Sequence, residues 1–214
     1  MARQQVRQQA LRGRKRVSAE SGAVAAEVVL NAAVEMFAAQ GFHGTSMRDI
    51  AARAGTSVSH AYYYFPSKTH ILVGIMTRVT EDLIAALLAA RGSTVDKPAM
   101  RLAAIVRAHV RFHIERQAES FVGNSELRSL GPEDRARVVA LRDRVSRIFK
   151  EVIATGFATG VFRGVHQPEA TRAIISMCTA VAGWYRPNGP DRPETIENRY
   201  ADLALQILGY RHDD

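Results

Sequence analysis

Cysteine is nearly absent from this chain: Cys178 is the only one in 214 residues. A lone thiol excludes an intrachain disulfide framework and suits a reducing cytoplasm. No apolar run reads as both long and charge-free enough to span a membrane, so no membrane partner is expected. No secretory apolar core follows the N-terminus. No strand-like alternation, internal repeat, nucleophile motif or phosphate-binding loop stands out. Acids are missing from residues 1–16, which hold Arg3, Arg7, Arg12, Arg14, Lys15 and Arg16. These six bases supply most of the formal net charge of +8. Apolar residues, by contrast, make up 47% of the chain, enough to favour a folded core over disorder. A chain of this length forms one larger domain or two small ones.

The stretch TSMRDIAARAGTSVSHAYYYFPSK, residues 45–68, reads as two short helices joined by a tight turn. Ser46 suits an N-cap, with Asp49 completing a shortened capping box. Ile50 and Ala54 share an inward face. Gly55 permits the backbone conformation that ends a helix sharply. Ser57 can cap the second helix, whose polar start suits insertion into a DNA major groove. Upstream lies an amphipathic helix with an apolar stripe of Val29, Ala33, Met36 and Phe37, ended by Gly41. Downstream, Phe65-Pro66-Ser67-Lys68 stops the reading helix and starts a long new one.

The order is helix, GF-x-G-T-S, R-D-I-A-x-x-A-G and Y-x-x-F-P-S-K. Over about residues 22–72 it resembles the DNA-binding domain of the TetR family of bacterial repressors. The resemblance implies an all-α fold, with a three-helix helix-turn-helix domain and a six-helix ligand-binding and dimerisation domain. The expected division is a flexible basic arm at 1–21, the DNA-binding domain at 22–68 and the second domain at 69–214. It further implies a cytoplasmic homodimer, a palindromic double-stranded DNA operator and a small-molecule effector. Thr45, Ser46, Tyr62 and Lys68 match family positions that touch phosphates. The chain departs from the family's pattern where Thr56, Ser59 and Ala61 replace a usual valine, glycine and leucine.

Read from the residues, Val58, Ser59, His60 and Tyr63 are candidates to meet base edges, and Arg48 to meet a guanine edge or a phosphate. Arg14, Lys15 and Arg16 in the arm can follow phosphates or enter the minor groove. The same arm also reads as a solubilising tail or an Arg-rich transit peptide.

Helical spacing continues to the end of the chain. Helices are expected over 67–91, about 98–117, 119–130, 132–159, 168–185 and 194–209, with Gly74 and Gly123 weakening two of them. Proline-acid pairs at Pro132-Glu133, Pro168-Glu169 and Pro193-Glu194 mark helix starts. His109 and His113 share one helix face. No Cys, Asp or Glu nearby completes a metal site, so neither metal nor cofactor is expected. The pair reads as cavity lining, as ordinary packing or as solvent-exposed. By resemblance, Asn124, Glu126 and Arg128 face a ligand cavity, while Phe112, Phe121, Met177 and Trp184 can wall it. The last two long helices would form the dimer bundle, with Ala170, Ala173, Ser176, Ala180 and Ala182 allowing close approach.

The run NSELRSL, L-R-D-R-x-x-x-x-F, G-x-F and G-W-Y-R-P-N-G-P is similar to TetR-like repressors of lipid and steroid catabolism. That similarity implies a fatty or steroid acyl-CoA effector. The leading expectation is a ligand-released repressor and not an enzyme. The alternatives are an effector-independent architectural DNA-binding protein and an enzyme using the histidine pair.

Overall fold

Helical periodicity in the sequence becomes helix along the chain. The computed structural model describes residues 2–93 and 97–211, with side chains described from Gly22 onward. Every regular element among them is helical. The arm's candidate contacts, Arg14, Lys15 and Arg16, lie outside the described side chains. The chain divides into two units, residues 1–74 and 75–214.

The first unit contains α1 (Ala2–Gly44), α2 (Met47–Arg53), α3 (Val58–Tyr64) and the first turns of α4 (Lys68–Gly92). Helical geometry in α1 breaks at Gly41, whose φ of 74° is open to glycine and strained for other residues. Gly55, at φ 65°, turns the chain between α2 and α3. Val29, Ala33 and Phe37 are buried with Phe42, Ile50, Ala61 and Ile71, while Met36 is only half-buried. Phe37 and Phe42 meet edge to face at 5.4 Å between ring centroids. The expectation about membrane spans needs correcting. Gly22–Gly44 is long and apolar enough to cross one by length and composition, with a mean hydropathy of 1.5 over its best window. Its inward stripe is instead covered within this unit, and Glu35 on its exposed side pairs with Arg53. α4 runs unbroken through Gly74, where a side chain would meet Leu30 at 3.4 Å.

The second unit contains the remainder of α4, α5 (Pro98–Glu115), α6 (Gln117–Ser125), a 3-10 turn (Glu126–Ser129), α7 (Pro132–Ala158), α8 (Gln167–Trp184) and α9 (Pro193–Ile207). Prolines open α5, α7, α8 and α9, where the missing N–H leaves no helical bond unmade. The helix expected over 119–130 is in fact α6 followed by the 3-10 turn. Gly123 does not break it. α5 packs against α6, α7, α8 and α9, and its Leu102, Ile105, Val106 and Val110 are fully buried. Glu197 of α9, only 3% exposed, accepts two hydrogen bonds from Arg111, at 2.9 Å from Nε and 2.7 Å from Nη2. This pairing holds the Arg111 pKa above its ordinary value.

A tight contact at the end of α7 generates a stability test. A Cβ on Gly156 would lie 2.1 Å from the ring of Phe162, which is itself 2% exposed. Gly156→Ala should therefore cost about 1–3 kcal/mol through overpacking, read as a lower urea midpoint. An unchanged midpoint would show that Phe162 swings aside freely.

Candidate nucleic-acid interface and ligand cavity

The two short helices of the first unit are set by local hydrogen bonds. Ser46 and Asp49 form a reciprocal cap: the Ser46 N–H donates to the carboxylate at 2.8 Å, and the Asp49 N–H donates to Ser46 Oγ at 3.2 Å. Hydrogen bonds from the Ser46 hydroxyl and then its backbone hold the Asp49 carboxyl below its ordinary pKa. Ser57 Oγ accepts from the His60 N–H at 3.1 Å and starts α3.

α3 turns Ala61 inward and leaves Ser59, His60, Tyr62 and Tyr63 exposed, with Tyr63 79% exposed. Val58 is half-buried at its start. His60 is not free to rotate: its Nδ1 lies 2.8 Å from Thr56 Oγ1, and its ring stacks on Tyr63. Sequence reasoning missed this role of Thr56, although the spacing of four residues carried the signal. Arg48 and Ser46 are exposed.

Two residues matched to phosphate contacts face inward. Thr45 is 2% exposed, and its hydroxyl donates to Gly41 O at 2.9 Å and Met36 O at 3.3 Å. Lys68 Nζ donates to Phe42 O at 2.5 Å and Thr45 O at 2.6 Å, and sits over the Phe42 ring. The Thr45 hydroxyl is thus spent inside the unit, and Lys68 ties α4 to the end of α1.

The second unit holds a cavity of about 600 Å³, open to solvent on one side and lined by residues of α4 to α8. His109, Phe112, His113, Phe121 and Asn124 line it. Glu126, Arg128, Met177 and Trp184 do not, and those expectations are corrected. Glu126 accepts from Ser129 Oγ in the 3-10 turn, and Arg128 is exposed there. Met177 packs on the core, and Trp184 stacks on Tyr200 of α9. On α8 the wall is made instead by Ile175, Ser176, Thr179 and Ala180. Sequence reasoning also missed Ser120 and Arg142.

Both histidines are buried. His113 Nδ1 bonds His109 O at 2.9 Å, while His109 Nε2 lies 3.5 Å from Thr179 Oγ1. Burial pushes the His109 pKa well below 6.5, aided by repulsion from His113. Burial also lowers His113, against the opposing bond to His109 O. Both are therefore neutral near pH 7. No group of three or more His, Cys, Asp or Glu that could hold a metal occurs among the described residues. Of the small residues on α8, Ala173, Ser176 and Ala180 are exposed, whereas Ala170 and Ala182 are buried within the unit.

Comparison with known proteins places both units. The family model for bacterial regulatory proteins, tetR family, matches residues 29–75, and that for the tetracyclin repressor-like C-terminal domain matches residues 95–208. The HTH-type transcriptional repressor KstR2 of Rhodococcus jostii (strain RHA1) is 25% identical over 187 residues, or 86% of this chain and 91% of that protein. A solved bacterial regulatory protein in the tetR family from Rhodococcus RHA1 is 32% identical, with a TM-score of 0.83 over 88% of this chain and 98% of the other. AibR, solved in complex with isovaleryl coenzyme A and operator DNA, shares the fold at 21% identity, with a TM-score of 0.76 over 87% of this chain and all of that one (100%).

The buried imidazoles set a pH dependence. Their folded pKa values lie below the ordinary 6.5, so the unfolded chain binds more protons as pH falls. Their contribution to stability is complete above about pH 6.5 and is lost as pH drops toward the folded values. Stability should fall by up to about 1.4 kcal/mol per pH unit for each histidine, measured by urea unfolding between about pH 7.5 and about pH 5. His109→Gln should flatten the profile. A flat wild-type profile would mean that the imidazoles reach water.

Proposed function

The chain belongs to the TetR family of bacterial regulatory proteins, and on that premise we propose that it is a homodimeric repressor released from a palindromic operator by a small hydrophobic effector. That it is a DNA-binding transcriptional regulator follows from the family. Repression, the effector and the dimer are our reading. In this reading residues 22–68 bind DNA, residues 69–214 bind effector and dimerise, and residues 1–21 form a basic arm on the duplex.

Val58, Ser59, His60 and Tyr63 would read base edges, with Arg48 at an edge or a phosphate. Ser46 and Tyr62 would hold phosphates, joined by Arg14, Lys15 and Arg16 of the arm. Thr45 would contribute through its backbone, and Lys68 through the one ammonium N–H that its two carbonyls leave over. The exposed Ala173, Ser176 and Ala180, with Leu203 and Ile207 of α9, would face the second subunit. A regulator of this kind works where the DNA is, in the cytoplasm.

The observation that carries effector control is the cavity of about 600 Å³. Its volume suits a small organic ligand, whereas an architectural DNA-binding protein has no use for a hollow core. The isovaleryl coenzyme A held by AibR supports an acyl-CoA as the effector class, and similarity to the repressor KstR2 supports repression. The mechanism is a population shift. An effector that prefers the weakly binding arrangement of two reading helices lowers operator affinity, and operator lowers effector affinity by the same factor. α4 belongs to both units and would carry the displacement.

Selection of genomic fragments with purified protein, then competition by acyl-CoAs, tests the reading. A short palindrome released by one compound is the expected result. Binding without sequence preference would favour the architectural alternative. Tyr62→Ala should weaken binding to all sequences about threefold to tenfold through a lost hydrogen bond, with little change in salt dependence because tyrosine is uncharged. Unchanged affinity would take Tyr62 off the interface. Deleting residues 2–16 should flatten the slope of log affinity against log salt. An unaltered slope would make the arm a passive tail.

A further inference from the structure

Arg142 of α7 is the only charged residue lining the second-unit cavity among the described residues. No carboxylate pairs with it there. Its Nη2 donates to Gly123 O at 2.7 Å, which fixes the guanidinium against α6 and leaves further N–H groups for another acceptor. Burial lowers its pKa, yet an arginine stays protonated at any ordinary pH. A half-buried cation without a counter-charge is costly, and a ligand that supplies an acceptor relieves that cost.

Two further atoms on the same wall are left without a partner. Ser120 is 4% exposed and its Oγ makes no hydrogen bond, while His109 is 1% exposed and its Nδ1 makes none. Buried polar groups are normally paired. The Ser120 hydroxyl has a hydrogen to offer another molecule's oxygen, whereas His109 Nδ1 is an acceptor, since Nε2 carries the proton toward Thr179 Oγ1, whose own hydrogen goes to Ile175 O. The histidines are neutral and add no second charge. Much of the remaining wall is apolar, including Met76, Val79, Leu83, Phe112, Val145 and Ile175.

We propose that Arg142 and Ser120 form an acyl-oxygen subsite, taking the carboxylate or carbonyl oxygen at one end of an apolar molecule. The proposal rests on reading the cavity as the effector site, and it names the chemistry that site selects. A free acid and a thioester both present such an oxygen. The carboxylate complements the arginine's charge. The thioester offers a neutral acceptor and leaves the phosphates of coenzyme A without a further cation inside the cavity.

The test is direct binding to the full chain without DNA, by calorimetry. The probes are straight-chain acids from butanoate to hexadecanoate, the matching alcohols and the matching coenzyme A thioesters. At the best-fitting length the acid, the thioester or both should bind about tenfold to a hundredfold more tightly than the alcohol. Which of them does so identifies the source of the oxygen. If at no length either one exceeds its alcohol, the subsite is overturned.

Arg142→Gln should collapse the preference over alcohol to about onefold while alcohol still binds, and Arg142→Lys should keep part of it. Ser120→Ala should reduce it about threefold to tenfold. Preference unchanged in Arg142→Gln would also overturn the proposal. Should that variant fail to fold, Arg142→Lys and the wild-type comparison decide. Operator release is measured separately. Probes that bind through Arg142 without releasing operator would uphold the subsite and defeat the effector reading. Release by a hydrophobic compound with no acyl oxygen, when no acyl probe beats its alcohol, would do the reverse.

Discussion

Enclosure of α5 is the constraint on which the second unit depends. Of its 18 residues only Met100, Arg111 and Glu115 are exposed. A helix covered on nearly every side must satisfy each polar group it carries or leave it stranded. Arg111 escapes by reaching outward to the buried Glu197 of α9. His109 and His113 cannot escape, so they stay neutral, and one bonds the backbone of the other. The cavity is the place where this enclosure stops short. There the covering helices α6, α7 and α8 leave space, and His109, Ser120 and Arg142 line it. Core and cavity wall are thus two sides of one helix.

The first unit solves a different problem. A helix of seven residues has little stability alone. Its hold on shape comes from caps and from ties at its ends. The Ser46–Asp49 cap and the Ser57 cap set the starts of α2 and α3. Lys68 satisfies two carbonyls at the end of α1, where a cation is also favoured by the helix dipole. With that frame in place, the exposed side of α3 need not contribute to the core and can carry Ser59, His60, Tyr62 and Tyr63. In the proposed role of His60 the Thr56–His60 contact would add preorganisation, since a ring already held would lose less freedom on meeting a base edge. Thr56 is one of the positions at which the chain departs from its family's usual residues, so the departure has a physical use.

Local order is legible in the residues themselves. The caps at Ser46 and Ser57, the glycine turns at Gly41 and Gly55 and the proline starts of the later helices all lie where the residues predict. Each depends on neighbours within four positions. The residues mislead where phase or long-range contact decides. Helical spacing continues α6 through Glu126, but the helix tightens into a 3-10 turn there, and a change of helical pitch rotates every later side chain. Met177 is one residue from Ser176, about 100° around the helix, and that angle separates core from cavity. Trp184 finds its partner on α9. In Gly22–Gly44 two glutamates interrupt the pattern and mask a long run of alanine and valine.

The sequence by itself determined the helical class, the positions of most helix ends, the DNA-reading module and the family, because these rest on spacing, capping and backbone preference within a few residues. Tertiary structure decided which side chains share a cavity. Ser120, Arg142 and Thr179 stand on three helices, and nothing in their local sequence marks them. Only the fold brings them to one space beside His109. It also decided that Thr45 and Lys68 face inward, since the carbonyls that Lys68 bonds, of Phe42 in the last turn of α1 and of Thr45 just after it, lie more than twenty residues earlier in the chain.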